Sequence, residues 1–99
     1  MDLEKLQKWV KDDWEKRSKK KPDPCLQLIY LFEELGEMSE AIRKSSGNKK
    51  HKNVETDLEE EIGDVLISLA TIANNYNINL TSAVKKSQNK ILKKHSQNF

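Results

Sequence analysis

Apolar side chains recur every three to four positions along most of this chain, the spacing of one face of a helix. The pattern predicts four helices. The first spans about Asp2 to Lys20, with Leu3, Leu6, Val10 and Trp14 on one stripe and Trp9 beside them. Asp2 is placed to cap its start. Lys19-Lys20-Lys21-Pro22-Asp23-Pro24 ends it, because like charges repel and two prolines cannot continue a helix. The second helix spans about Pro24 to Ser45, with Leu28, Phe32, Leu35 and Ile42 as its stripe, and Pro24 suits a first helical turn. Ser45-Ser46-Gly47-Asn48 stops it, and a basic loop follows through Lys49, Lys50, His51 and Lys52.

The third helix spans about Val54 to Tyr76. Leu58, Ile62, Val65, Leu66, Leu69, Ile72 and Ala73 make a broad apolar face, which predicts that this helix lies deepest. Asn74, Asn75 and Asn77 break it. The fourth spans about Leu80 to Lys94, capped by Asn79, with a narrow stripe of Leu80, Val84, Ile91 and Leu92. No strand pattern and no Gly-rich phosphate loop interrupts this series. The expected fold is all-α, a four-helix bundle in one domain over residues 1–99.

Composition changes that picture in one respect. Apolar residues make up 35% of the 99 and charged residues 34%, a poor supply for a core in so short a chain. The bundle is therefore expected to be completed by homo-oligomerisation. No apolar run is long enough to span a membrane, and the N-terminus lacks the basic-then-apolar order of a signal peptide. Cys25 is the only cysteine, which excludes an intrachain disulfide and a cysteine zinc cage. The expected location is the cytoplasm.

The net charge of +2 conceals an uneven layout: residues 25–64 hold ten acids and five bases, and residues 65–99 hold five lysines and no acid. The acids follow a pattern. Glu33-Glu34-Leu35-Gly36-Glu37 in the second helix recurs 27 residues later as Glu60-Glu61-Ile62-Gly63-Asp64 in the third. Residues three apart share a helix face, so Glu34 and Glu37 are neighbours, as are Glu61 and Asp64. Glu61 falls at the edge of the apolar face, near Leu58 and Val65. Carboxylates crowded there repel one another and lose hydration, and a divalent cation relieves both costs. Oxygen ligands favour Mg²⁺, Mn²⁺ or Ca²⁺. Each glycine costs about 1 kcal/mol inside a helix, and their matched positions suggest close backbone approach. The opposing reading is a set of solvated surface acids, which one such pair alone would favour.

The paired motifs resemble those of the MazG-type, all-α nucleoside triphosphate pyrophosphohydrolases, over about Trp14 to Lys93. That superfamily also holds dimeric dUTPases, dCTP pyrophosphatases and phosphoribosyl-ATP pyrophosphohydrolases. The resemblance implies a helical bundle completed as a homodimer or homotetramer, and hydrolysis of an NTP or dNTP to monophosphate and pyrophosphate. It implies Mg²⁺, with Mn²⁺ as an alternative, held by Glu34, Glu37, Glu61 and Asp64. Glu33 is the acid most easily spared from ligation, so Glu33 with Glu34 beside it is the candidate catalytic pair for positioning or deprotonating water. By the same resemblance Lys86, Asn89 and Lys90 contact phosphate and Trp14 stacks on the base. A solvated basic face, and a core or interface role for Trp9 and Trp14, are the structural alternatives. The alternatives are another branch of the superfamily, acting on phosphoribosyl-ATP, dUTP or dCTP, and a non-catalytic helical interaction module. Binding to nucleic acid is opposed by the acidic centre and the small net charge.

Overall fold

A computed structural model describes residues 1–45 and 57–97. It contains four helices, α1 (Leu3–Arg17), α2 (Pro24–Ser45), α3 (Leu58–Asn75) and α4 (Leu80–Gln97), and no strand among the described residues. None of these helices is long and apolar enough to cross a membrane.

Local chemistry sets the boundaries. Asp2 Oδ1 accepts from the Lys5 amide at 2.8 Å, which caps α1. The helix stops at Arg17 and not at the expected Lys20: Ser18 is extended, its amide donates to the Trp14 carbonyl, and its hydroxyl accepts from the Lys20 amide. The Ser18 side chain competes with the helix for backbone groups. Asp57 caps α3 by accepting from the Glu60 amide. The expected start at Val54 and the loop with His51 lie outside the described residues.

The α3–α4 turn is a Schellman ending. Asn77 has φ of 54°, the Ile78 amide donates to the Ala73 carbonyl, and the Asn77 amide donates to the Asn74 carbonyl. Asparagine tolerates this left-handed conformation better than most residues. Asn79 Oδ1 then accepts from the Ser82 amide, and α4 continues to Gln97, past the expected Lys94.

α3 packs against both α2 and α1, and α1 also touches α4. α3 carries three of the buried residues, Ala70, Thr71 and Ala73, as expected of the deepest helix. The core is nevertheless thin. Among the described residues the buried apolar ones are Val10, Ala41, Ala70 and Ala73, and no large side chain is fully buried. Leu28, Phe32 and Ile42 of the α2 stripe, and Ile62, Leu66 and Leu69 of the α3 face, remain substantially exposed. These stripes are helical, as their spacing predicts, yet the described residues of the single chain do not cover them.

Candidate metal centre

α2 and α3 carry the two acidic motifs into contact with each other. One carboxylate oxygen from each of Glu34, Glu61 and Asp64 lies within 4.8 Å of the other two, and all three residues are half-buried. Octahedral Mg²⁺ with oxygens at about 2.1 Å separates opposite ligands by about 4.2 Å, so this spacing is close to what one ion bridges. Glu34 Oε2 and Glu61 Oε2 are covered from solvent and have no hydrogen-bond partner. A buried carboxylate oxygen without a partner is costly, and a hard divalent cation satisfies both. The donor set therefore fits the ion that the sequence pattern implied.

The electrostatics agree. Burial raises the Glu34 pKa above its ordinary 4.5, and the charges of Glu37, Asp64 and Glu33 push the same way. Burial also raises Glu61 above 4.5, helped by the charge of Glu37, a hydrogen bond shared with Glu37, and the charges of Asp64 and Glu34. Glu37 stands outside the tight trio and is exposed, but it is near enough to act on both. Glu33 is exposed beside Glu34.

The glycines correct one expectation. A Cβ built on Gly36 or Gly63 meets nothing within 4 Å, so neither glycine is required by close approach among the described residues.

The chain belongs to the MazG nucleotide pyrophosphohydrolase family. The family's model, the MazG nucleotide pyrophosphohydrolase domain, matches residues 24–99 and so includes both acidic motifs. The uncharacterised protein YvdC of Bacillus subtilis strain 168 is 31% identical, with 95% of this chain and 96% of YvdC covered. The crystal structure of YpjD from Bacillus subtilis superposes with a TM-score of 0.80 at 32% identity, covering 91% of this chain and 94% of that one. That of a Bacillus-conserved MazG protein, a nucleotide pyrophosphohydrolase, gives 0.77 at 27% identity, covering 92% and 90%. This MazG-family chain is thus an enzyme of the class that hydrolyses nucleotide phosphoric anhydrides, with an acidic cluster suited to a divalent metal.

The remaining candidates lie elsewhere. Lys86, Asn89 and Lys90 are all exposed on α4, a helix whose principal packing partner is α1 rather than the acid-bearing α2 and α3. Trp14 is half-buried on α1, its indole N–H donates to the Lys20 carbonyl at 2.7 Å, and the Arg17 guanidinium lies over its ring at 5.5 Å.

Trp14 also lines a cavity of about 860 Å³, within the ordinary size of a small-molecule site. Its walls come from α1, the 18–22 segment and the end of α3, including Gln7, Val10, Thr71, Asn74 and Asn75. In the sequence Asn74 and Asn75 read as helix breakers, and Thr71 carries no motif of its own. The available signal was spacing: Asp64, Thr71 and Asn75 are separated by seven and four residues and share one face of α3.

Proposed function

We propose that this MazG-family chain is a Mg²⁺-dependent nucleoside triphosphate pyrophosphohydrolase, releasing NMP or dNMP and pyrophosphate. The observation that carries this is the trio Glu34, Glu61 and Asp64, with two covered carboxylate oxygens that have no hydrogen-bond partner. These three, with Glu37 closing in beside them, would hold the ion, and Mn²⁺ is the alternative. Bound there, the cation would neutralise phosphate oxygens and lower the cost of charge developing on the leaving pyrophosphate.

The chain's own acids do the rest. Glu33, exposed next to Glu34, accepts a proton as water attacks the α-phosphorus; the bond from that phosphorus to the α–β bridging oxygen breaks, and pyrophosphate leaves. Glu34, beside Glu33 in the cluster, shares in orienting the water. Trp14 faces the base end, because its cavity begins where Thr71 stands, two helical turns or about 10 Å from Asp64 along α3. Lys86, Asn89 and Lys90 serve the phosphates from a second protomer. The protein acts in the cytoplasm as a homodimer or homotetramer.

A panel of NTPs and dNTPs with Mg²⁺, read for monophosphate and pyrophosphate, tests this. The expected result is stoichiometric monophosphate and pyrophosphate from at least one member. Orthophosphate as the first product would sink the reading in favour of a different nucleotide hydrolysis, and no turnover with Mg²⁺ or Mn²⁺ would leave a helical interaction module in its place.

A further inference from the structure

Residues 18–22 lead from α1 towards α2, and hydrogen bonds hold their backbone in place. The Trp14 indole N–H donates to the Lys20 carbonyl at 2.7 Å, and the Lys20 amide donates to Ser18 Oγ at 3.2 Å. Asn75 Nδ2, on α3, donates to the Pro22 carbonyl at 2.8 Å. A run of like charges ordinarily pushes a connecting segment open. Here Lys19-Lys20-Lys21 is tied down in its middle and just beyond its end. All three lysines are exposed, and all three line the rim of the cavity described above. No ion pair among the described residues uses them.

The Asn75 bond sets where the triplet stands relative to the metal centre. Asn75 shares a face of α3 with Asp64 and lies eleven residues beyond it, about 16 Å along the helix. The lysines are thus fixed at one end of the face whose other end carries the acids. Those acids are a barrier as well as a ligand set. Glu33 and Glu37 are exposed around the trio of Glu34, Glu61 and Asp64, and Glu59 and Glu60 are exposed in the first turn of α3. A triphosphate brings several more negative charges, and one divalent ion offsets only two. Approach past α2 and α3 alone therefore runs against the field. A fixed cationic rim reverses the local potential, and fields of that kind raise association rates by about 10- to 1,000-fold.

We propose that Lys19, Lys20 and Lys21 form an anchored cationic rim that captures the polyphosphate chain of the incoming nucleotide and speeds its arrival at the metal centre. This rests on the pyrophosphohydrolase reading above. The rim recognises phosphate charge, whatever base is attached, and takes no part in bond breaking. Its effect therefore falls on kcat/KM and leaves kcat alone. Salt gives the effect a signature. The screening length is about 30 Å at 0.01 M ionic strength and about 8 Å at 0.15 M. A pull acting over about 16 Å is strong in the first condition and largely lost above the second. Anchoring matters because the backbone ordering is already complete when the nucleotide arrives, so capture does not have to supply it.

The test measures kcat and kcat/KM, for the triphosphate hydrolysed best, in a variant carrying Lys19→Gln, Lys20→Gln and Lys21→Gln. A control carries Lys5→Gln, Lys8→Gln and Lys16→Gln, which removes the same charge from exposed lysines of α1 outside the cavity. At about 0.01 M ionic strength the rim variant should lose about tenfold in kcat/KM with kcat nearly unchanged, and at about 0.5 M the loss should shrink to about twofold or less. The control should stay within about twofold of wild type at both. Arginine at all three rim positions keeps the charge and should keep wild-type kcat/KM. Inorganic tripolyphosphate, which has no base, should inhibit the rim variant more weakly than wild type at low salt. A rim variant with wild-type kcat/KM at low salt, a loss that salt does not relieve, or an equal loss in the control overturns this inference and leaves the pyrophosphohydrolase reading standing. No hydrolysis of any triphosphate by the wild type overturns both.

Discussion

Glu61 occupies a position that is costly for an unliganded carboxylate. It borders the apolar face of α3, one of its oxygens is covered and without a hydrogen-bond partner, and burial is the largest cause of its raised pKa. Glu34 mirrors it from α2. In Glu34→Gln, Glu61→Gln and Asp64→Asn, one negative charge leaves the cluster while shape is kept. Each metal-free variant should melt at or above the wild-type temperature, should lose most of its stabilisation by Mg²⁺, and should lose pyrophosphate release. Glu37→Gln should weaken Mg²⁺ stabilisation less, because Glu37 lies outside the trio. Melting curves with and without Mg²⁺ check all four, and a variant with wild-type Mg²⁺ stabilisation removes its residue from the site.

The same residues set a pH dependence. Glu34 and Glu61 both titrate above 4.5 in the fold, so between 4.5 and those raised values the folded chain binds more protons than the unfolded one. Their contribution to stability is then fully present below 4.5 and is lost as pH rises through the folded values. The melting temperature of Glu61→Gln minus that of the wild type, without metal, should grow from pH 4.5 towards neutrality. Saturating Mg²⁺ should reverse the sign at neutral pH, since the ion binds only the deprotonated trio. A difference that stays flat with pH would mean that the carboxylates are solvated.

At the scale of elements, the helices are held by caps and by one long-range clamp. Gln7 joins α1 to Asn74 on α3, to the Ile78 carbonyl and to the first amide of α4. Gln7→Leu strands all three partners and should cost about 1–3 kcal/mol, read as a shift in denaturant midpoint. Removing the cap in Asp57→Ala should cost roughly 1 kcal/mol. The glycines point the other way. Gly36 lies in the interior of α2 with open space where a Cβ would go. Gly36→Ala should stabilise an isolated chain by about 0.5–1 kcal/mol. Destabilisation instead, growing with protein concentration, would show that a second protomer uses that space.

At the scale of the whole molecule, the radius of gyration is 16.9 Å, against about 13 Å for a compact domain of some hundred residues. The long axis is 52 Å. Phe32 is 65% exposed, and Leu28, Ile29, Ile62, Leu66 and Leu69 are also on the surface. A chain so open, with so thin a core, is expected to associate through the α2 and α3 stripes. Light scattering at micromolar concentration should give at least a dimer, and Phe32→Glu should lower its association or its melting temperature. A stable wild-type monomer would refute the association and with it the proposed place of Lys86, Asn89 and Lys90 at a partner's phosphates.

The four helices and the acidic motifs were legible in the chain because both depend on short-range periodicity: a helix repeats every 3.6 residues, and Glu34–Glu37 and Glu61–Asp64 each sit within one turn. Helix ends were less legible, because Ser18 had to bend its hydroxyl back to the Lys20 amide before α1 could stop at Arg17. The convergence of Glu34 with Glu61 and Asp64 required α2 to pack on α3. The cavity at Trp14 depended on Gln7, Thr71 and Asn75, which are separated in sequence and joined only when α1 folds back across the end of α3. Sequence periodicity sets which side chains share a face of one helix. Which faces meet, and which lone pairs remain free once they have met, is decided by contacts between residues far apart in the chain.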